Sequence, residues 1–505
     1  IPKNSNPYPA ELQLFLRGRN NMNTGYSIWD HDTQKRVHHE TLKVLKNVGI
    51  RVDNDESLEI FYSNGAHVTK EKKGGCVRLP EHLVEDCIGW APKSVIYYGR
   101  DQARDFDTKS GKVGFSTFGE CVQIVDPYTR ELRPTTKEDC GYTGKLVDYY
   151  DACTVMERAV CSTDKPSETQ PLHNLEALLK NTSKHIILGA GNRENFKIML
   201  KMAHAAAGGK DAFEKRPIIT FSVCPSSPLT LTKHTCEVII ECAQAGVGMW
   251  VIPMVLAGGT GPVTLAGSVV QHNAETLGGL ALAQLVKKGT PCTYCSCTSI
   301  MYLKNASAVM GAPEYGMLGR ATAQMAKFYD LPAAIATGVT ESKSTDIQAA
   351  YESAINLTQV ALSRPPIIYG LGSIESGLTF DLTKLVLDCE HVRHLLMAID
   401  GIPVDEYQLA YNEIREVGPG GTYLLQKQTM DNMRKQSDVT VFDRNPRETW
   451  KKKGTPQAID SACKKAIEII ETHMPKPLPN GAEEEIAAIV RDYEAQLLKT
   501  VGLFA

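Results

Sequence analysis

Between Lys112 and about residue 400 the chain alternates, eight times over, between a short apolar or β-branched run and a stretch long enough for a helix. The runs are GFSTFG (114–119), TVMERAV (154–160), HIILGAG (185–191), PIITFSV (217–223), MWVIPMV (249–255), PCTYCSC (291–297), PAAIATGV (332–339) and PIIYGLG (366–372). Between them, segments such as APEYGMLGRATAQMAKFYD and DIQAAYESAINLTQVALSR space their apolar residues near the 3.6-residue helical period. Strand-then-helix units build parallel sheets covered by helices. Eight such units over about 260 residues match the ~250 of a (β/α)8 barrel, whereas an open doubly wound sheet needs a point at which strand order reverses. The expectation is an α/β fold, a (β/α)8 TIM barrel over 112–400. A helical and mixed accessory region at 1–111 precedes it, and a helical C-terminal region at 401–505 packs on it.

Within the accessory region, HDTQKRVHHETLKVLKNVGI places Val37, Leu42, Val44, Leu45 and Val48 near one helical face. A strand at Val77 to Leu79, a helix opened by Pro80 and the β-rich VIYYG follow.

Charge excludes some partners. The 55 basic and 58 acidic side chains leave a net charge of −3, so there is no cationic excess to neutralise a phosphate backbone or an anionic bilayer. Nucleic acid and membrane are not expected as partners. No apolar run approaches the ~20 residues of a membrane span, and the first residues lack a basic stretch followed by an apolar one; a cytoplasmic location is the expectation. The 14 cysteines are scattered through apparent strands and helices and are expected to be free thiols.

A barrel of this kind delivers its chemistry at the C-terminal ends of its strands. The side chains expected there include Phe118, Glu120, Arg158, Asn192, Ser222, Tyr294, Ser296, Thr340, Glu341, Tyr369 and Glu375. Aromatic faces combined with carboxylates suit a cation, since ring quadrupoles and negative charge both attract ammonium groups. AGGTGPVTLAG (257–267) has neither of the phosphate-loop spacings and reads as a tight strand-to-helix connection. His272, Asn273 and Glu275 fall inside the following helix, open to a role in the site or in packing between helices. In CTYCSC, strand alternation turns Cys295 and Cys297 to one side and Cys292 to the other, which works against a zinc site there. No HExxH, GxSxG or paired CxxC signature occurs.

The segments MVLAGGTGPVTLAGSVVQHNAETLGGLALAQL, GAPEYGMLGRATAQMAKFYDLPAAIATGVTESKSTDIQAAYE and YGLGSIESGLTFDLTKLVLD, with APKSVIYYGRD, CPSSPL and LLQKQT outside them, resemble the trimethylamine methyltransferase family. That resemblance implies transfer of methyl groups from methylamines to the corrinoid (cobalamin) cofactor of a partner protein, and a homo-oligomer. In the segment reading ATGVTESK the archaeal members carry pyrrolysine, and Val339 occupies that position here. Members without pyrrolysine are typified by glycine betaine methyltransferase, so the resemblance implies a quaternary amine substrate. On that basis Phe118, Tyr97, Tyr294 and Tyr369 are candidates for the aromatic faces. Glu341 is the candidate charged residue near the ammonium, and Arg158, His272 and Asn192 are candidate donors to a substrate carboxylate. A non-catalytic quaternary-amine binder, and a zinc-dependent corrinoid methyltransferase using Cys292 to Cys297, are the alternatives.

Overall fold

The computed structural model describes residues 26–500. Eight parallel strands form its centre: β1 (Gly114–Thr117), β2 (Met156–Glu157), β3 (Ile186–Leu188), β4 (Ile219–Val223), β5 (Met249–Val251), β6 (Cys292–Ser296), β7 (Ala333–Ala336) and β8 (Ile367–Leu371). Their order around the sheet is β1-β8-β7-β6-β5-β4-β3-β2. A parallel bridge between Phe115 and Cys153, with the Thr154 N–H donating to the Phe115 carbonyl at 2.8 Å, joins β2 back to β1 and closes the barrel. All eight runs singled out in the sequence contain a barrel strand, because short β-branched and apolar segments pack well on a pleated surface buried on both faces.

Each strand leads to a helix of the outer ring: α1 (Lys137–Tyr149), α2 (Gln170–Asn181), α3 (Arg193–Ala207), α4 (Lys233–Ala245), α5 (Leu265–Val286), α6 (Pro313–Phe328), α7 (Ile347–Ala361) and α8 (Leu382–Asp400). Local chemistry sets their ends. Thr136 and Asp139 form a reciprocal capping box at the start of α1, and Asn192 caps α3 by accepting from the Asn195 N–H at 2.9 Å. Helix α5 is apolar nearly all round because the N-terminal helices His31–Lys43 and Glu81–Trp90 cover the side it would otherwise show to water.

The N-terminal segment is stitched to the barrel by hydrogen bonds. Strand Ile50–Val52 pairs in parallel with Thr230–Leu231 from the β4–α4 loop, and antiparallel with Gly75–Arg78. One sequence expectation changes here. Helix His31–Lys43 continues into a π-helical turn at Val44–Val48, which shifts the angular register, so Val48 points to solvent while Leu45 is buried. At the other end, Ala458–Thr472 packs on α8 and α1, and Ala482–Thr500 on α3 and α2. The short helices between residues 406 and 452 bury none of their residues in the chain's own core. Among the described residues no helix is long and apolar enough to cross a membrane.

Candidate active site

Alternation along the barrel strands sorts side chains into two compartments. Val155, Ile187, Trp250, Cys295, Ala334 and Ile367 point inward, while Met156, Met249, Cys292 and Tyr294 point to the helix layer. The interior is filled by a column of aromatic rings. Tyr97, from the strand Ile96–Tyr97, closes the N-terminal floor, its hydroxyl 2.7 Å from Thr293 Oγ1 and accepting from Trp250 Nε1 at 2.8 Å. Trp250 lies against Tyr369 with ring centroids 5.2 Å apart, and Tyr369 stacks on Phe118 at 6.1 Å and 10°. Phe118, half-buried, ends the column at the C-terminal mouth.

A bulge directs Tyr369. Pairing of β8 with β1 slips register between Tyr369 and Leu371, and Gly370 in between has φ of +146°. A Cβ there would lie 1.6 Å from the Thr337 carbonyl oxygen, so the backbone tolerates only glycine at this point.

Beside the column, β2 ends in Glu157 and Arg158. Glu157 follows Val155 in alternation and turns inward, where it is buried and its Oε2 has no hydrogen-bond partner among the described residues. Burial, and then the neighbouring Glu120 carboxylate, hold its carboxyl well above the usual carboxylate range, with Arg158 opposing. The carboxyl is within electrostatic reach of the Cys224, Cys295 and Cys297 thiols and the Tyr315 and Tyr369 phenols. Arg158 is likewise buried. Burial works against its charge, but the Glu120 carboxylate paired with Nη2 more than offsets this and keeps the guanidinium charged.

The mouth is open on the β3–β4 side. Gly189 presents no side chain, Ser222 is half-buried and Cys224 is reached by solvent. Enclosure by the mouth walls still pushes the Cys224 thiol up to about 12, Glu120 and Glu157 adding to the effect, so it is a neutral thiol at physiological pH.

Of the residues expected from sequence, Phe118, Tyr369, Arg158, Glu120 and Ser222 meet at this mouth. The remaining candidates are engaged in other contacts. Tyr97 lies at the floor, separated from Phe118 at the mouth by the Trp250 and Tyr369 rings. Tyr294 faces the helix layer, its hydroxyl donating to Asn273 of α5 and its ring 5.3 Å from His272. His272 is buried there with Nδ1 2.8 Å from Thr298 Oγ1, and burial lowers its pKa to about 3, so it is a neutral imidazole. Asn192 spends its side-chain oxygen on the α3 cap. Glu341 follows β7 at the C-terminal face, but its carboxylate accepts from the Met310 N–H at 2.6 Å, the Gly311 N–H at 3.2 Å and the Ser376 hydroxyl. Lys343 bonds the Glu341 carbonyl rather than its carboxylate. Glu341 thus ties three loops of the rim together. Glu275 does the same for the β4–α4 loop, through Ser227 and the Leu229 N–H.

Glu157 and Trp250 are inward-facing residues of the site that the sequence reading passed over. The signal for both was the inward parity of the strand residues two positions before or after them. Val339, buried at the end of β7, belongs to the interior cluster, and the adjoining Gly338 carbonyl is fixed by Ser353 at 2.7 Å and Lys384 at 3.0 Å.

A closed (β/α)8 barrel thus presents a carboxyl, a guanidinium and stacked aromatic rings at its C-terminal mouth, the face on which barrels of this kind carry their sites. The chain matches the trimethylamine methyltransferase family over residues 5–497. It is 39% identical over 458 residues to the trimethylamine methyltransferase MttB of Desulfitobacterium hafniense (strain DSM 10664 / DCB-2), covering 91% of this chain and 92% of that one. It is 28% identical over 488 residues to the glycine betaine methyltransferase of Desulfitobacterium hafniense (strain Y51), covering 94% and 98%. The solved monomethylamine methyltransferase MtmB of Methanosarcina barkeri shares the fold at a TM-score of 0.51 and 10% identity, over 91% of each chain. The chain belongs to the trimethylamine methyltransferase family and is a methyltransferase of that family.

Proposed function

We propose that this chain transfers a methyl group from a quaternary amine of the glycine betaine type to the reduced corrinoid of a partner protein. The observation that carries the reading is the buried Glu157 carboxyl, one oxygen without a partner among the described residues, beside the stacked Phe118 and Tyr369 rings. A buried polar atom left unpaired costs roughly 1–3 kcal/mol, a cost that a site recovers when its ligand arrives. A permanent cation is such a ligand, attracted by the carboxylate and by ring faces at ~0.5–2 kcal/mol each. Val339 supports the same substrate class, since a hydrocarbon side chain offers no electrophile for a tertiary amine.

A quaternary nitrogen already carries its charge, so a neutral tertiary amine leaves without protonation. The acceptor supplies the nucleophile, a Co(I) centre that takes the methyl carbon as the carbon–nitrogen electron pair stays on nitrogen. The rim suits an apolar macrocycle on a partner: Met254, Val263, Tyr302, Leu303 and Leu378, all in loops after barrel strands, are exposed. The chain's own residues bind, orient and dehydrate the amine, and orientation of this kind is worth up to ~7–11 kcal/mol. Glu157 balances the ammonium, Phe118 and Tyr369 hold its methyl groups, and Arg158 receives a substrate carboxylate. Positive charge disperses in the transition state, so tight ground-state binding would slow transfer and moderate affinity is expected.

Calorimetry with the full chain tests this. Glycine betaine should bind more tightly than its neutral-carbon isostere 3,3-dimethylbutanoate. Phe118→Ala should weaken betaine binding by about five- to thirtyfold, equivalent to ~1–2 kcal/mol, while leaving the isostere nearly unaffected. Equal binding of the two compounds by the native chain would remove the cation site.

A further inference from the structure

Glu120 occupies an unusual position for what it does. Its backbone lies in the left-handed region, φ +79°, at the end of the segment that leaves β1, and its N–H donates to the Arg158 carbonyl at 3.3 Å. This turn hangs the side chain over the mouth. The carboxylate meets Arg158 there, yet the two partners differ sharply in environment: the Glu120 side chain is 67% exposed and that of Arg158 only 7%. The pairing is one-sided, using Nη2 alone, and Arg158 Nε, buried, has no hydrogen-bond partner among the described residues. A guanidinium offers a planar fork that a carboxylate engages with two parallel bonds, so the Arg158 fork is half used. Glu120 Oε1 also lies 3.7 Å from where a Cβ on Gly189 would stand, a point 3.6 Å from Ser222 Oγ, which puts it within the open side of the mouth.

We propose that Glu120 is an internal stand-in for the carboxylate of the substrate: it occupies Arg158 in the free protein and is displaced when a carboxylate-bearing quaternary amine enters. The inference rests on the quaternary-amine reading and adds a specificity residue to it. A flexible, exposed glutamate tied by one bond to a buried cation is easily exchanged for a carboxylate that can take both arms of the fork. The exchange makes entry conditional. An amine with a carboxylate neutralises Arg158 once Glu120 swings out, whereas an amine without one leaves Glu120 in place and gains nothing from Arg158. Self-occupancy lowers apparent affinity by the fraction of time the subsite is filled.

The test is calorimetric titration of glycine betaine and tetramethylammonium into the native chain, Glu120→Gln, Arg158→Gln and the double variant, with circular dichroism confirming folding. Glu120→Gln, a change at an exposed side chain, should tighten betaine binding about tenfold relative to tetramethylammonium, any easier ionisation of Glu157 acting on both cations alike. In the Arg158→Gln background that gain in selectivity for betaine should vanish. Weaker betaine binding in Glu120→Gln, an equal shift for both cations, or a gain that survives loss of Arg158 would overturn the proposal. Native protein that binds neither cation would instead refute the underlying quaternary-amine reading, and the stand-in with it.

Discussion

Glu157→Gln is expected to lower kcat/KM for a quaternary amine by about a hundredfold, ~2.7 kcal/mol, while making the folded protein more stable at neutral and alkaline pH. Both effects come from one buried carboxyl. Burial and the Glu120 carboxylate favour its neutral form, so in the free protein it holds a proton that an unfolded glutamate would release. Its contribution to stability is present in full below the ordinary carboxylate pKa and is lost as pH rises through that value toward the raised one. The slope is about 1.4 kcal/mol per pH unit for a single group. Glutamine cannot ionise and removes that slope. Denaturant unfolding at pH 5 and pH 8 should show native and variant proteins converging at the lower pH, with the variant ahead at the higher.

Binding has the opposite dependence. A fixed cation favours the ionised carboxyl, so affinity should rise with pH and association should release a proton, visible as a buffer-dependent enthalpy. The groups facing Glu157 are Glu120, Arg158, the Cys224, Cys295 and Cys297 thiols and the Tyr315 and Tyr369 phenols. Burial holds the thiols and phenols neutral, and Arg158 stays charged, so the pH profile follows Glu157. A Glu157→Gln protein with the native pH dependence of betaine affinity would refute this assignment.

Gly370→Ala should be the most destabilising single-methyl change in the barrel. The new Cβ would stand 1.6 Å from the Thr337 carbonyl oxygen and 2.6 Å from its carbon, both backbone atoms of the neighbouring strand end, at φ +146°. Neither can move without opening the β7–β8 pairing, where Thr337 N–H donates to the Tyr369 carbonyl at 2.8 Å. The expected loss exceeds ~4 kcal/mol, and Tyr369 loses its place above Trp250. Gly289→Ala is the control: its φ is also positive, +81°, but no atom lies within 4 Å of the added methyl, so only the backbone penalty of about 1 kcal/mol applies. Comparable unfolding midpoints for the two variants would contradict the account of the bulge.

The strands were legible because each is a local property: a run of six to eight residues rich in β-branched or apolar types and bounded by glycine, proline or polar residues. The site was legible only in part. Phe118 and Arg158 lie just beyond strand ends and Tyr369 in the middle of β8, where position along the chain and position in space coincide. Tyr294 shares that location but not the direction. The alternation that separates Cys292 from Cys295 also places Tyr294 with Cys292 on the helix side, and turns Glu157 inward with Val155. Tyr97 reaches the barrel floor from a segment outside the repeat, through contacts with Thr293 and Trp250. Glu341 is committed by partners 30 to 35 residues away in the chain, Met310, Gly311 and Ser376, which no local pattern announces.

The most direct measurement offers the full chain, with a corrinoid protein or free cob(I)alamin as methyl acceptor, a panel of glycine betaine, carnitine, proline betaine and trimethylamine, and follows the visible spectrum. Methylation of the corrinoid by one quaternary amine, and not by trimethylamine, is the predicted result. Methylation by trimethylamine alone, or none by any quaternary amine that calorimetry shows to bind, would contradict the account.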